Sequence, residues 1–160
     1  MSWLYKTQVI EDISQFPKET YGFVYRVIHM LSGKSYIGRK NLYHIRKQKL
    51  TKKEIALLTG PGRKPTHKRV EKESDWLNYY GSQKELKQLL SESKAKDFTR
   101  NILKIVPNKK LLTYFETKYQ MVYQVLEKPD EFFNDNILGK FYTKDFDEIE
   151  YEDPLEIDEI

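Results

Sequence analysis

The sequence predicts an α/β (α+β) domain with a small central antiparallel three-stranded sheet flanked by helices, and three observations predict it. Two runs rich in β-branched and aromatic residues, 22–29 and 35–40, are joined by Leu31-Ser32-Gly33-Lys34, which is the pattern of a β-hairpin. A third such run, 97–106, is closed by Pro107 and the turn residue Asn108. Around them lie helix signals, above all a stretch over about 109–127 in which Leu112, Phe115, Tyr119, Val122, Tyr123 and Leu126 recur at three- and four-residue steps.

The elements follow in order. Residues 1–20 carry Trp3, Tyr5, Ile10, Ile13 and Phe16 before Pro17, which predicts a short N-terminal arm packed on the domain. The domain itself is expected over 21–141, with a basic insertion at about 47–73. Residues 39–72 hold twelve Lys or Arg against Glu54 and Glu71. Inside that stretch Thr51-Lys52-Lys53-Glu54 has the capping-box pattern that opens a helix, and Thr59-Gly60-Pro61-Gly62 stops it. A second capping box, Ser82-Gln83-Lys84-Glu85, heads a helix with Leu86, Leu89 and Leu90 on one face. The long helix ends before Pro129, and 131–139 reads as a loop with apolar anchors. Residues 142–160 form an acidic tail, expected to be mobile.

Composition narrows the chemistry. With 160 residues, 39% apolar and 14% aromatic, one hydrophobic core is within reach. No apolar run approaches the roughly 20 residues that cross a bilayer, and the first residues lack a signal-peptide pattern, so a cytoplasmic protein is expected. The absence of cysteine excludes disulfides, thiolate nucleophiles and iron–sulfur clusters. His29, His44 and His67 are scattered, so a bound metal would need oxygen ligands, which points to magnesium or manganese. Residues 141–160 hold nine acids and one base, leaving 27 bases against 15 acids over 1–140. A core that basic is expected to seek a polyanion such as nucleic acid, although a lysine-rich solvated surface has the same composition.

Gly22-Phe23-Val24-Tyr25, followed by Tyr36-Ile37-Gly38, resembles the two motifs of the GIY-YIG nuclease family, with the first glycine displaced by one residue. Further positions fit that resemblance. The family places an arginine about ten residues after the second tyrosine, on the first helix, and position 46 is Arg46. It places a metal-binding glutamate on the long helix after the third strand, where Glu116 stands. It places an asparagine behind an aromatic in the following loop, where Phe133-Asn134 stands and Asn136 is a rival. Tyr80-Gly81-Ser82 is similar to the signature preceding the second helix in the phage-encoded branch. A histidine found after the arginine in some members has no clear counterpart unless His44 or His67 supplies it.

The resemblance implies a metal-dependent endonuclease cutting or nicking double-stranded DNA. Tyr25 would be the general base, acidified by Lys34, Arg39, Lys40, Arg46 or the metal, because a free tyrosine titrates near 10. Tyr36 would hydrogen-bond the water or phosphate and can exchange roles with Tyr25. Arg46 would hold phosphate oxygens in its planar fork. Glu116 would hold one Mg2+ or Mn2+. Asn134 would orient substrate or fix the backbone around the site. For DNA binding the candidates are Arg39, Lys40, Lys47, Lys49, Lys52, Lys53, Arg63, Lys64, Lys68 and Arg69, lying along the phosphate backbone. Trp76, Tyr79 and Tyr80 are expected in the core beside the second helix. A homodimer would supply the second site that a double-strand cut requires. The competing readings are a non-catalytic DNA-binding module on the same fold and an RNA-processing nuclease.

Overall fold

Strand β3 (Gly22–His29) and strand β4 (Ser35–Asn41) form the hairpin that the sequence predicts, with Tyr25 directly opposite Gly38. The computed structural model describes residues 2–148. Strand β7 (Phe98–Val106) pairs antiparallel with the other side of β3, completing the three expected strands. The sheet is larger than that. The N-terminal arm folds into β1 (Trp3–Tyr5) and β2 (Gln8–Ile10), and β1 lies parallel to β7, so the sheet is five-stranded and mixed, in the order β2-β1-β7-β3-β4. Strands of three residues are too short for a period-two pattern to stand out, which is why the arm did not read as sheet. Trp3 anchors it: the ring is fully buried, and its indole N–H donates to the Trp76 carbonyl at 2.8 Å.

Each face of the sheet carries its own core. On one, Trp3, Phe23, Tyr25, Val27, Phe98 and Ile102 pack with Phe16, Trp76 and Leu86. On the other, Val24, Ile37 and Val106 pack with Leu112, Val125, Leu126, Phe132 and Ile137. Helix α2 (Lys84–Glu92) covers the first face through Leu86, and α3 (Lys109–Val122) covers the second through Leu112. Trp76 lies in the core as expected, and half-buried Tyr79 and Tyr80 pack against it, Tyr79 edge-on to Tyr25 and Tyr80 edge-on to Phe98.

Helix starts agree with the local signals more closely than helix ends do. Thr51 caps a short α1 (Lys52–Ala56), and both bonds of its capping box with Glu54 are formed. For α2 the cap is Gln83, one residue later than expected, whose side chain accepts from the Leu86 N–H. Helix α3 stops at Val122 rather than about 127. Gln124 takes φ 56°, in the left-handed region, which ends the right-handed helix before it.

The basic insertion is not a loop. β5 (Tyr43–Lys49) and β6 (His67–Glu73) form a seven-row antiparallel ribbon separate from the main sheet, with α1 in the turn between them. A last small hairpin joins β8 (Asn136–Ile137) to β9 (Phe141–Tyr142). Of the acidic tail, residues 143–146 form a 3-10 turn, and 149–160 lie outside the described residues. No helix among the described residues is long and apolar enough to cross a membrane.

Candidate active site

β4 is an edge strand, and the groups along its free edge build the site. The chain at 131–134 runs beside that edge: Ser35 N–H donates to the Glu131 carbonyl at 2.9 Å, and Phe133 N–H donates to the Ser35 carbonyl at 2.7 Å. At the next rung a side chain takes over from backbone. Asn134 Oδ1 accepts from the Ile37 N–H at 3.0 Å, while Asn134 Nδ2 donates to the Ile37 carbonyl at 2.8 Å. Gln120 Nε2 of α3 donates to the same carbonyl at 3.0 Å. Asn134 is only 5% exposed, so removing its amide strands a buried backbone donor. Asn134→Ala is therefore expected to cost about 1–3 kcal/mol, read as a lower urea midpoint at unchanged m value.

Around this clamped edge lies a cavity of about 520 Å3. Tyr36 reaches it from one face of the sheet, beside Ser82, Gln83 and Lys84 at the start of α2. Glu116 and Gln120 of α3 reach it with Arg39 from the other face. Asn134, Asp135, Asn136 and Leu138 line it as well. Asn136 is engaged in a turn, its Oδ1 accepting from Gly139 N–H at 3.1 Å and its Nδ2 donating to Asp135.

Two glycines hold the tyrosines in place. A Cβ on Gly38 would sit 2.6 Å from the Tyr25 hydroxyl and 2.7 Å from Tyr36 Cε1, so both rings occupy the space that any other residue would fill. Gly81, at φ +133°, is adjacent to the Tyr36 ring and Leu86 in the same way. Gly22 serves a close approach too, because a Cβ there would meet the Lys40 carbonyl oxygen at 2.4 Å. In the pairing of β3 with β7 the register shifts between Val24 and Tyr25, a bulge of the kind that re-aims a side chain.

A family model described as "Putative endonuclease segE, GIY-YIG domain" matches residues 3–137, from β1 through β8. The chain belongs to the GIY-YIG family. No curated protein and no solved structure matches it.

Of the five GIY-YIG site candidates, Tyr36, Glu116 and Asn134 line one cavity. Tyr25 stands behind it, 1% exposed, its ring 6.2 Å from that of Tyr36 and 6.0 Å from that of Tyr79. Arg46 is elsewhere. Only Leu42 separates β4 from β5, so position 46 falls on the ribbon opposite Val70 and is exposed there, where a helix was expected. The cation beside Glu116 is instead Arg39, its Nε 3.3 Å from Glu116 Oε2 and its guanidinium donating also to Thr113. Alternation along β4 puts Arg39 on the face of Ile37, towards α3, and Gln120 lies one helical turn beyond Glu116. Those two spacings were readable in the sequence. Ser82 and Lys84 were not, because nothing local shows where the end of α2 will point.

The surroundings of Tyr25 disfavour its anionic form. Burial, and then the neighbouring Tyr36 and Tyr79, hold its phenol well above the ordinary tyrosine value. The cations expected to acidify it are committed elsewhere: Lys34 to Glu85, Arg39 to Glu116 and Lys40 to Asp75. Tyr36 is pushed up to about 12, chiefly by burial and partly offset by its hydrogen bond with Ser82. Burial also raises the Glu116 carboxyl, and Arg39 opposes that rise. Arg100, 2% exposed, is a positioning residue that sequence reasoning missed. It donates to the Leu77 and Tyr79 carbonyls at 2.8 and 2.9 Å and lies over the Tyr80 and Trp3 rings, fixing the segment that leads to Ser82.

The DNA-binding candidates divide. Lys40 is largely enclosed, paired with Asp75 and stacked 3.8 Å over the Tyr79 ring, and Lys68 is paired with Glu54. Lys47, Lys49, Lys52, Lys53, Arg63, Lys64 and Arg69 are exposed on the ribbon and its tip. Among the described residues no group of three or more His, Cys, Asp or Glu could hold a metal.

Proposed function

We propose that this GIY-YIG domain is a metal-dependent endonuclease that hydrolyses phosphodiester bonds of double-stranded DNA. One observation carries the reading: a largely buried carboxylate, Glu116, shares an open polar cavity with a tyrosine hydroxyl and with Arg39 and Lys84. Burying a carboxylate beside a cavity is costly unless it meets a cation, and Arg39 meets it from one side only. Glu116 and Asp135 line the cavity, and their hard carboxylate oxygens would suit Mg2+ or Mn2+. When bound there, such an ion polarises the phosphate and stabilises the leaving oxygen.

The protein's own groups supply the rest. Arg39 and Lys84 bring positive charge to a phosphate that becomes more negative in the transition state. Asn134 and Gln120 hold the Ile37 backbone, and with it the strand that carries Tyr36 and Arg39. Tyr36, rather than Tyr25, is the tyrosine that faces the cavity, so it takes the role of base towards the attacking water. Tyr25 packs behind it and keeps its ring in place. In hydrolysis the water oxygen bonds to phosphorus and the P–O3′ bond breaks. The water gives one proton to the base, and the departing 3′ oxygen takes up a proton from solvent.

For a base whose value lies near 12, the deprotonated fraction grows about tenfold for each unit that the pH rises towards that value. Nicking is therefore expected to speed up roughly tenfold per unit between pH 7 and 9. Tyr36→Phe should be slower by about 100-fold or more and lose that slope. An unchanged slope in Tyr36→Phe removes the phenol from the proton transfer. The function itself is tested by incubating supercoiled plasmid with protein and magnesium, beside EDTA and a matched RNA duplex. Open-circular product with magnesium alone supports the proposal; binding without nicking, or cutting confined to RNA, sinks it.

A further inference from the structure

The β5–β6 ribbon has a shape and charge that the catalytic cavity does not require. None of its residues is buried: along both strands every position is exposed or half-buried. Residues 46–69 contain nine Lys or Arg and a single acid, Glu54. The acids Glu71 and Glu73 stand at the root, opposite Ile45 and Tyr43, so positive charge grows towards the tip. Register makes the arrangement stranger still. Lys47 faces Arg69 and Lys49 faces His67 on one side of the ribbon, while His44 faces Lys72 on the other. Of these rows Lys47–Arg69 sets like charges directly opposite one another, which destabilises a strand pair, and a two-stranded hairpin is marginal alone. Negative charge laid along the ribbon would relieve that repulsion.

We propose that β5 and β6 enter the major groove of B-form duplex DNA and that the tip cations Lys52, Lys53, Arg63 and Lys64 rest on the flanking phosphates. The inference rests on the nuclease reading for its substrate, and adds the groove and the element that occupies it. The fit is dimensional as well as electrostatic. The major groove is about 12 Å wide and admits a two-stranded β-ribbon, with phosphates on both walls. Seven rows at about 3.4 Å per residue give a ribbon of roughly 20 Å, which spans about six base pairs. An A-form RNA duplex offers no such seat, because its major groove is too narrow and deep for side chains to read.

The ribbon is also tied to the cavity at both of its roots. β5 leaves β4 just beyond Arg39, and β6 leads through Trp76 and Tyr79 to Ser82 and Lys84. Ser74 closes the two legs, its N–H donating to the Leu42 carbonyl at 2.8 Å and its hydroxyl to the Asn41 carbonyl at 2.6 Å. Lys40 and Asp75 pair across the same junction. A ribbon seated in the groove thus fixes where along the duplex the cavity meets a phosphate.

The experiment is methylation protection of guanine N7, an atom in the major groove, on a 30-base-pair duplex with the full chain in EDTA. Wild type should shield a tract of about six base pairs. Lys47→Ala/Lys49→Ala/Arg69→Ala, which touches no buried group, should lose the shielding, and its slope of log affinity against log salt should fall by about 3. A second variant, with residues 47–69 replaced by Asn-Gly between the register partners Arg46 and Val70, should behave likewise. Plasmid nicking by wild type in magnesium separates this inference from the nuclease reading. Nicking with every N7 left reactive, or equal affinity for the RNA duplex, overturns the groove assignment alone. Shielding without nicking overturns the nuclease reading and leaves the ribbon in its groove.

Discussion

Glu116→Gln is expected to slow plasmid nicking by a factor of about 100 or more, leave duplex binding within about twofold, and raise the melting temperature at neutral pH. The first two effects follow from its place, since the amide keeps the shape of the side chain but cannot neutralise a cation or pair with Arg39. The third follows from its burial. In the folded protein the Glu116 carboxyl titrates above its ordinary value, because the desolvation cost exceeds the help from Arg39. Between the unfolded and folded values the native state therefore binds the extra proton, and its stability falls as pH rises through that window. Below the ordinary glutamate value both states are protonated and the penalty is absent. The gain from Glu116→Gln should thus be present at pH 7 and vanish near pH 3, as thermal melts across that range in EDTA would show. A variant that nicks at wild-type rate ends the catalytic assignment, and one equally destabilised at both pH values ends the electrostatic one.

Gly38→Ala is expected to disable the enzyme by a different route, through the positions of Tyr25 and Tyr36. The added methyl would fall 2.6 Å from the Tyr25 hydroxyl and 2.9 Å from its Cζ, closer than nonbonded atoms approach. Tyr25 cannot retreat easily, because Trp3, Phe23 and Tyr79 pack around its ring. Overpacking of this kind costs about 1–3 kcal/mol, which for a chain of this size lowers the melting temperature by roughly 2–4 °C per kcal/mol. Nicking should fall by at least as much as in Tyr36→Phe, since the ring that faces the cavity must swing to make room. Calorimetry and plasmid nicking on the same preparation check both halves. A stable, fully active Gly38→Ala would mean that the two tyrosines do not sit as described.

What could be read in advance is what depends on neighbours in sequence. Thr51 and Glu54 lie three apart and complete their capping box whatever surrounds them. The β3–β4 hairpin and β7 declare themselves by composition, and Glu116 and Asn134 by their order in the family pattern. Arg46 lies on a strand rather than a helix because a residue count assumes that the intervening backbone keeps one conformation, and a ribbon rising at about 3.4 Å per residue carries position 46 away from where a helix would leave it. Tyr25 is a different case: its electrostatics depend on burial among rings from β1 and from the Trp76–Tyr79 segment, contacts distant in sequence. The same distance hid Lys84 and Arg100, whose roles exist only once separate segments meet.

Because Tyr36 and Glu116 belong to opposite sides of the sheet, they can meet only around its edge strand β4, alongside the 131–134 segment that pairs with that edge. This makes the border at β4 irreplaceable: another strand laid there would wall the tyrosine off from the carboxylate. Additions to the architecture are tolerable only at the far border, and that is where the two N-terminal strands are found.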